Sequence, residues 1–134
     1  MKWMLDTDTC IAIIKKQPES ALKKLRGKSI GQVGISTITL SELNFGAAKS
    51  TRREQATAAL AEFVLALEIA SFDSEDASSY GGVRASLEKR GTPVGPLDTL
   101  IGSHALSLDV VLVTHNIKEF SRIEGLRLED WIGS

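Results

Sequence analysis

Short apolar or β-branched segments alternate with helical patterns along this chain, and that alternation restricts its fold more than any other feature. MKWML (1–5), VGIST (33–37), IASF (69–72) and VVLVT (110–114) read as strands. Between them lie helical patterns: TDTCIAIIKK, SALKKLR, TITLSELNFGAA, EQATAALAEFVLAL with apolar residues at 56, 59, 60, 63, 64 and 67, a stretch from Ser74 to Arg90, and one from Asp98 to Leu108. Parallel strands need a crossover connection, usually a helix, and a sheet so connected is covered on both faces. The prediction is an α/β domain of three layers, α/β/α, around a central, mainly parallel sheet. No internal repeat, linker or low-complexity tract interrupts residues 1–134, which read as one domain.

Local signals place several boundaries. Thr7 or Asp8 is suited to cap the first helix, Pro18 opens the second and Gly27 closes it. The Gly/Pro-rich loop GTPVGP precedes the helix containing Asp98, for which Leu97, Leu100, Ile101, Ala105 and Leu108 form the expected packing face and His104 a packed or surface position. The ending FSRIEGLRLEDWI is too mixed to assign.

Composition excludes some classes. No apolar run approaches the roughly 20 residues that span a bilayer, and no signal peptide precedes the first strand. The single cysteine, Cys10, rules out an internal disulfide and suits a reducing cytoplasm; it reads as a small buried hydrophobe. Net charge is only −1, yet residues 1–53 hold ten Lys/Arg against four Asp/Glu, and residues 54–134 hold six against thirteen. The basic third is either solvated helix surface or a face for a polyanion or acidic partner.

The carboxylates fall where a parallel sheet binds ligands, beyond the carboxyl ends of its strands. Asp6 ends the first strand, Glu42 lies early in the helix after VGIST, Asp98 begins the helix after GTPVGP, and Asn116 and Glu119 follow VVLVT. Each has a competing structural explanation. Asp6 can cap a helix, Thr39 and Glu42 fit a capping box, and Asp98 gains from the helix dipole behind Pro96. Gathered together, however, like charges raise one another's pKa and oppose folding. A divalent cation is the usual reason for such a cluster, and oxygen donors without Cys or His favour Mg²⁺ or Mn²⁺. Spacing alone does not establish that these acids converge.

Five blocks carry a resemblance: MLDTD at the start, ISTITLSELNFGAAKS around Glu42, GTPVGPLDTLIGSHAL around Asp98, VLVTHNIKEF, and the ending GLRLEDW. In this order and spacing the chain resembles the PIN-domain ribonucleases, and within them the VapC toxins of bacterial toxin–antitoxin pairs. The GTPVGPLD loop and LEDW ending look most like the branch that cuts initiator tRNA in its anticodon stem-loop. The resemblance implies a Mg²⁺-dependent endoribonuclease, with Mn²⁺ able to substitute. It implies Asp6, Asp98 and Glu42 as metal-binding acids, Glu119 as the fourth acid, and Asn116 as a neutral member of the site. Asp8 adds charge beside the metal, and Thr7 and Thr114 stand at the pocket edge. The resemblance further implies a homodimer and inhibition by a VapB-type antitoxin, with no membrane association. His115 lies beside the site with no required part, since activated water needs no histidine base.

Two other readings remain at this point. A receiver-like phosphoacceptor module would use Asp6, Asp8 and Asp73, and leaves Glu42 and Asp98 without a role. A catalytically inactive PIN binding module would not need its acids intact.

Overall fold

The computed structural model describes residues 1–133. Five strands form one sheet: β1 (Trp3–Leu5), β2 (Val33–Ser36), β3 (Glu68–Ala70), β4 (Val111–Val113) and β5 (Leu128–Glu129). Their spatial order is β3-β2-β1-β4-β5 and every pairing is parallel. Seven helices connect them: α1 (Thr7–Lys15), α2 (Glu19–Arg26), α3 (Thr37–Lys49), α4 (Arg53–Val64), α5 (Ser74–Lys89), α6 (Pro96–Leu108) and α7 (Ile117–Phe120). The chain builds outward from β1 to β2 and β3, then crosses back to add β4 on the other side of β1. That reversal leaves a crevice at the carboxyl ends of β1 and β4.

Alternation of side chains along each strand divides the core. On one face Leu5, Ile35 and Val113 pack with Cys10, Ile13, Ala21, Leu43 and Leu60 from the first four helices. On the other, Met4 and Leu112 pack with Leu87, Ile101, Ala105 and Phe120 from α5, α6 and α7. The result is the expected three-layer arrangement. Cys10 is fully buried, as its apolar neighbours predict.

Several local expectations shift. The first helix is capped by Asp6, whose carboxylate accepts from Thr9 N at 2.9 Å, instead of by Thr7 or Asp8. The third is capped by Ser36, so Thr39 lies inside the helix, fully buried, and no Thr39–Glu42 capping box forms. The helix containing Asp98 starts two residues earlier, with Pro96 as its first residue. Its buried face runs through Thr99, Ile101, Gly102, Ser103, His104 and Ala105. Leu97 and Leu108, expected to pack, are 46% and 41% exposed, because α6 lies between the sheet and α5 and polar residues share its inner faces. His104 is wholly enclosed, bonded to Ser36 Oγ at 2.8 Å and packed edge-on against Phe72. Strand β3 lies at Glu68–Ala70, earlier than IASF suggests. The unassigned ending forms β5, followed by Trp131 buried against the core.

Candidate active site

The crevice beyond β1 and β4 is built from the ends of separate elements. β1 ends directly at Asp6, held in place by its backbone N–H donating to Val113 O at 3.0 Å across the sheet. Directly after β4 comes Thr114, fully buried, whose hydroxyl lies beside the Asp6 carboxyl and accepts from Asn116 N at 3.0 Å. Helix α3 brings Glu42 from behind β2, and the Thr7 hydroxyl donates to Glu42 Oε1 at 2.6 Å. The first turn of α6 brings Asp98. The single turn α7 brings Glu119, which accepts from Asn116 Nδ2 at 2.7 Å and from Gly95 N at 3.1 Å.

Asp6, Thr7, Asp8, Glu42, Asp98, Asn116 and Phe120 line one cleft of about 200 Å³. Glu119 stands against it, close enough to Asp98 to hydrogen-bond its carboxyl. Thr114 supports Asp6 from beneath. Every residue singled out for the site is therefore assembled at the same sheet edge. Phe120 was not expected, and Gly95, expected only to fix the turn before Asp98, has a further part. Phe120 supplies the apolar wall, and its only signal is that it follows Glu119 in KEF. Gly95 supplies a backbone donor that ties the GTPVGP loop to Glu119. By contrast Asp73, which a receiver-like site requires, caps α5 by accepting from Glu75 N and Asp76 N. It does not line the cleft, and its capping bonds explain its presence.

Burial dominates the electrostatics, and like charge adds to it. Burial, Glu119, Asp6 and Glu42 together push the Asp98 carboxyl up to about 7. Burial also raises Asp6, with a contribution from Asp8, against the lowering effect of its hydrogen bonds from Thr114 and Thr9. Among the described residues, no three Asp, Glu, His or Cys side chains close around a single point to cage an ion. The donor set nevertheless fits a small, hard divalent cation. It is all oxygen, its carboxylates repel one another, and the cleft has room for water. Such ions retain several waters and need only one or two carboxylates from the protein. Asp6 and Asp98 could hold one.

A second groove, about 440 Å³, shares Glu42 with the cleft and runs between α1, α3 and α4. Its walls include Ile11, Ile14, Leu43, Ala47 and Leu60, with Lys15 and Lys49 also lining it.

Comparison with known proteins agrees with this architecture. The chain matches the PIN domain over residues 3–126. It is 44% identical to the tRNA(fMet)-specific endonuclease VapC of Salmonella typhimurium, and 41% identical to that of Shigella flexneri, covering 98% of both chains in each case. Its fold superposes on the DNA-bound VapBC structure from Salmonella typhimurium with a TM-score of 0.93 at 44% identity, covering 98% of each chain. For the Rickettsia felis VapBC2 structure bound to a promoter DNA fragment the TM-score is 0.89 at 39% identity, covering 98% of this chain and 99% of that one.

Proposed function

Because this chain belongs to the PIN-domain family, and within it to the VapC ribonucleases, we propose that it is a Mg²⁺-dependent toxin endoribonuclease that cuts initiator tRNA in the anticodon stem-loop and so blocks translation. Residues 1–134 form a single PIN domain in this reading, working in the cytoplasm; among the described residues no helix is long and apolar enough to cross a membrane. The tRNA target follows the names of the Salmonella and Shigella relatives. The observation that carries the reading is the cleft itself, where Asp6, Glu42 and Asp98 meet although burial, and then the charge of Glu119, Asp6 and Glu42, lifts Asp98 to about 7.

The reaction is hydrolysis of one phosphodiester. A bond forms between a water oxygen and phosphorus, the bond to the 3′-oxygen breaks, and the products carry a 5′-phosphate and a 3′-hydroxyl. When bound, the divalent ion supplies Lewis acidity, lowering the pKa of water and neutralising charge on the phosphate. Asp6 and Asp98 would hold the ion, with Glu42 nearby, oriented by the Thr7 hydroxyl at 2.6 Å. Glu119 is the fourth acid. Its two bonds, to Asn116 and Gly95, fix it beside Asp98. Thr114 keeps Asp6 aimed at the cleft, and Asp8 adds negative charge at its mouth. Lysines and arginines of the basic N-terminal third hold the RNA backbone, so affinity falls as salt rises.

A VapB-type antitoxin is the proposed partner, and the toxin is proposed to be a homodimer. The apolar groove that shares Glu42 with the cleft supports an antitoxin helix docked there, from which an arginine can reach the acids. End-labelled initiator tRNA tests the reading. Wild type with Mg²⁺ is expected to cut at one position, while wild type in EDTA and Asp98→Asn in Mg²⁺ leave the RNA intact. Equal cutting by Asp98→Asn would refute it.

A further inference from the structure

We propose that a hollow on the far side of α6 from the acidic cleft is a nucleobase-binding subsite, which receives one unstacked base of the RNA and helps select where the chain is cut. This rests on the ribonuclease reading above. The hollow has a volume of about 210 Å³ and is walled by Tyr80, Arg84, Leu87, Pro93, Val94 and Pro96. Leu87 is a buried floor. Tyr80 is the only tyrosine of the chain, and its hydroxyl accepts from Arg84 Nη1 at 3.0 Å, while Arg84 Nε pairs with Glu88 at 3.2 Å.

Its position links it to the chemistry. Residues three apart on a helix share a face, and those two apart do not. In the first turn of α6, Pro96 and Thr99 line the hollow while Asp98 lines the cleft. The hollow and the cleft therefore lie within one turn of each other along α6, so an RNA loop with a phosphate at Asp98 has a base within reach of the hollow if it bends around that turn. The Thr92–Gly95 loop joins the two sites, since Pro93 and Val94 line the hollow and Gly95 N bonds Glu119.

The chemistry of the walls fits a base. A phenol ring, proline rings and an aliphatic floor offer flat apolar surface, and an arginine stands beside them. Single-stranded loops are recognised in this way, by stacking of splayed bases on aromatic rings and guanidinium planes. Charge agrees. In a half of the chain with thirteen acids and six bases, two further arginines gather at this loop, while Arg84 is paired with Glu88, which also lines the hollow. Arg122 donates to Pro93 O at 2.8 Å and Arg90 donates to Arg122 O at 2.7 Å. Both bonds leave a positive charge for a neighbouring phosphate.

The test uses Asp98→Asn protein, which leaves RNA uncut, and fluorescence anisotropy with an anticodon stem-loop RNA of initiator-tRNA sequence. A set of the same RNA carries one abasic site at each loop position. One abasic position is expected to weaken binding roughly tenfold, as loss of a stacked base does. In Asp98→Asn/Tyr80→Ala that same pair of RNAs should differ by less than about twofold, a coupling that a merely structural role does not create. Asp98→Asn/Tyr80→Phe, which keeps the ring, should retain the discrimination. If Tyr80→Ala weakens intact and abasic RNA equally, or neither, the subsite is refuted. It is refuted too if Tyr80→Ala turns a dimer into a monomer, since the hollow is then an interface. Failure of the parent protein to bind any of these RNAs would instead overturn the ribonuclease reading, and the subsite with it.

Discussion

Replacing Asp98 by Asn should stabilise the metal-free protein at neutral and alkaline pH. The Asp98 carboxyl is lifted from an ordinary 3.8 to about 7, chiefly by burial and then by Glu119, Asp6 and Glu42. The folded state therefore holds this proton more tightly than the unfolded chain. Below about pH 4 both states are protonated and the raised pKa has no destabilising effect. Between about 4 and 7 the unfolded chain ionises while the folded one does not, so stability falls as pH rises, and above about 7 the loss is complete. A rise from 3.8 to about 7 corresponds to at most about 4 kcal/mol. The carboxyl is only half-buried, so solvent screening reduces this to on the order of 1–2 kcal/mol. Asn also forgoes the first-turn helix-dipole benefit of about 0.3–1 kcal/mol, which leaves a net gain near 1 kcal/mol. Urea unfolding in EDTA at pH 5, 6.5 and 8, followed by circular dichroism, measures it. The advantage of Asp98→Asn over wild type should grow from pH 5 to pH 8. Adding a divalent ion at about a hundredfold above its Kd should stabilise wild type by about 2.7 kcal/mol and reverse the order. An Asn variant that is less stable than wild type at pH 8 in EDTA, or a difference independent of pH, would refute the argument and make Asp98 a helix-stabilising acid.

Two further substitutions probe the framework. Thr7→Val removes the hydroxyl that donates to Glu42 at 2.6 Å; it should reduce stability by about 1 kcal/mol and reduce the initial rate of RNA cleavage, and an unchanged rate would mean that Glu42 needs no such orientation. In Gly34→Ala, the added methyl meets the Glu68 carbonyl oxygen and, at 2.8 Å, Met1 Sδ, so thermal unfolding should show a loss of about 1–3 kcal/mol; wild-type stability would mean that the β2–β3 pairing relaxes freely.

The sequence announces what depends on chain-local chemistry. Strands β1, β2 and β4 are β-branched or apolar runs with helical patterns between them, and their order alone implies a parallel sheet. Asp6 and Asp98 are legible because a carboxylate at a strand end or beside Pro96 stands out from apolar surroundings. What depends on tertiary docking is not legible. Strand β5 and the single turn α7 are too short to carry a pattern, and they exist because Phe120, Ile123 and Trp131 bury against the core. Glu42 looks like a capping residue until Ser36 takes the cap. Leu97 looks like core until α6 turns its inner face to Thr99, Ser103 and His104. Glu119, an ordinary surface acid in sequence, becomes a site residue only through Asn116 and Gly95.

The most direct test of the central claim, that the acids at the β1–β4 crevice form a divalent-ion site, is a Mn²⁺ titration followed by electron paramagnetic resonance. Wild type should bind Mn²⁺ saturably and release it to excess Mg²⁺, and Asp6→Asn and Asp98→Asn should each weaken that binding by roughly tenfold or more. Equal Mn²⁺ affinity in wild type and both variants would contradict the account, because the ion would then be held by other residues and the crevice would be a cluster of helix-capping acids.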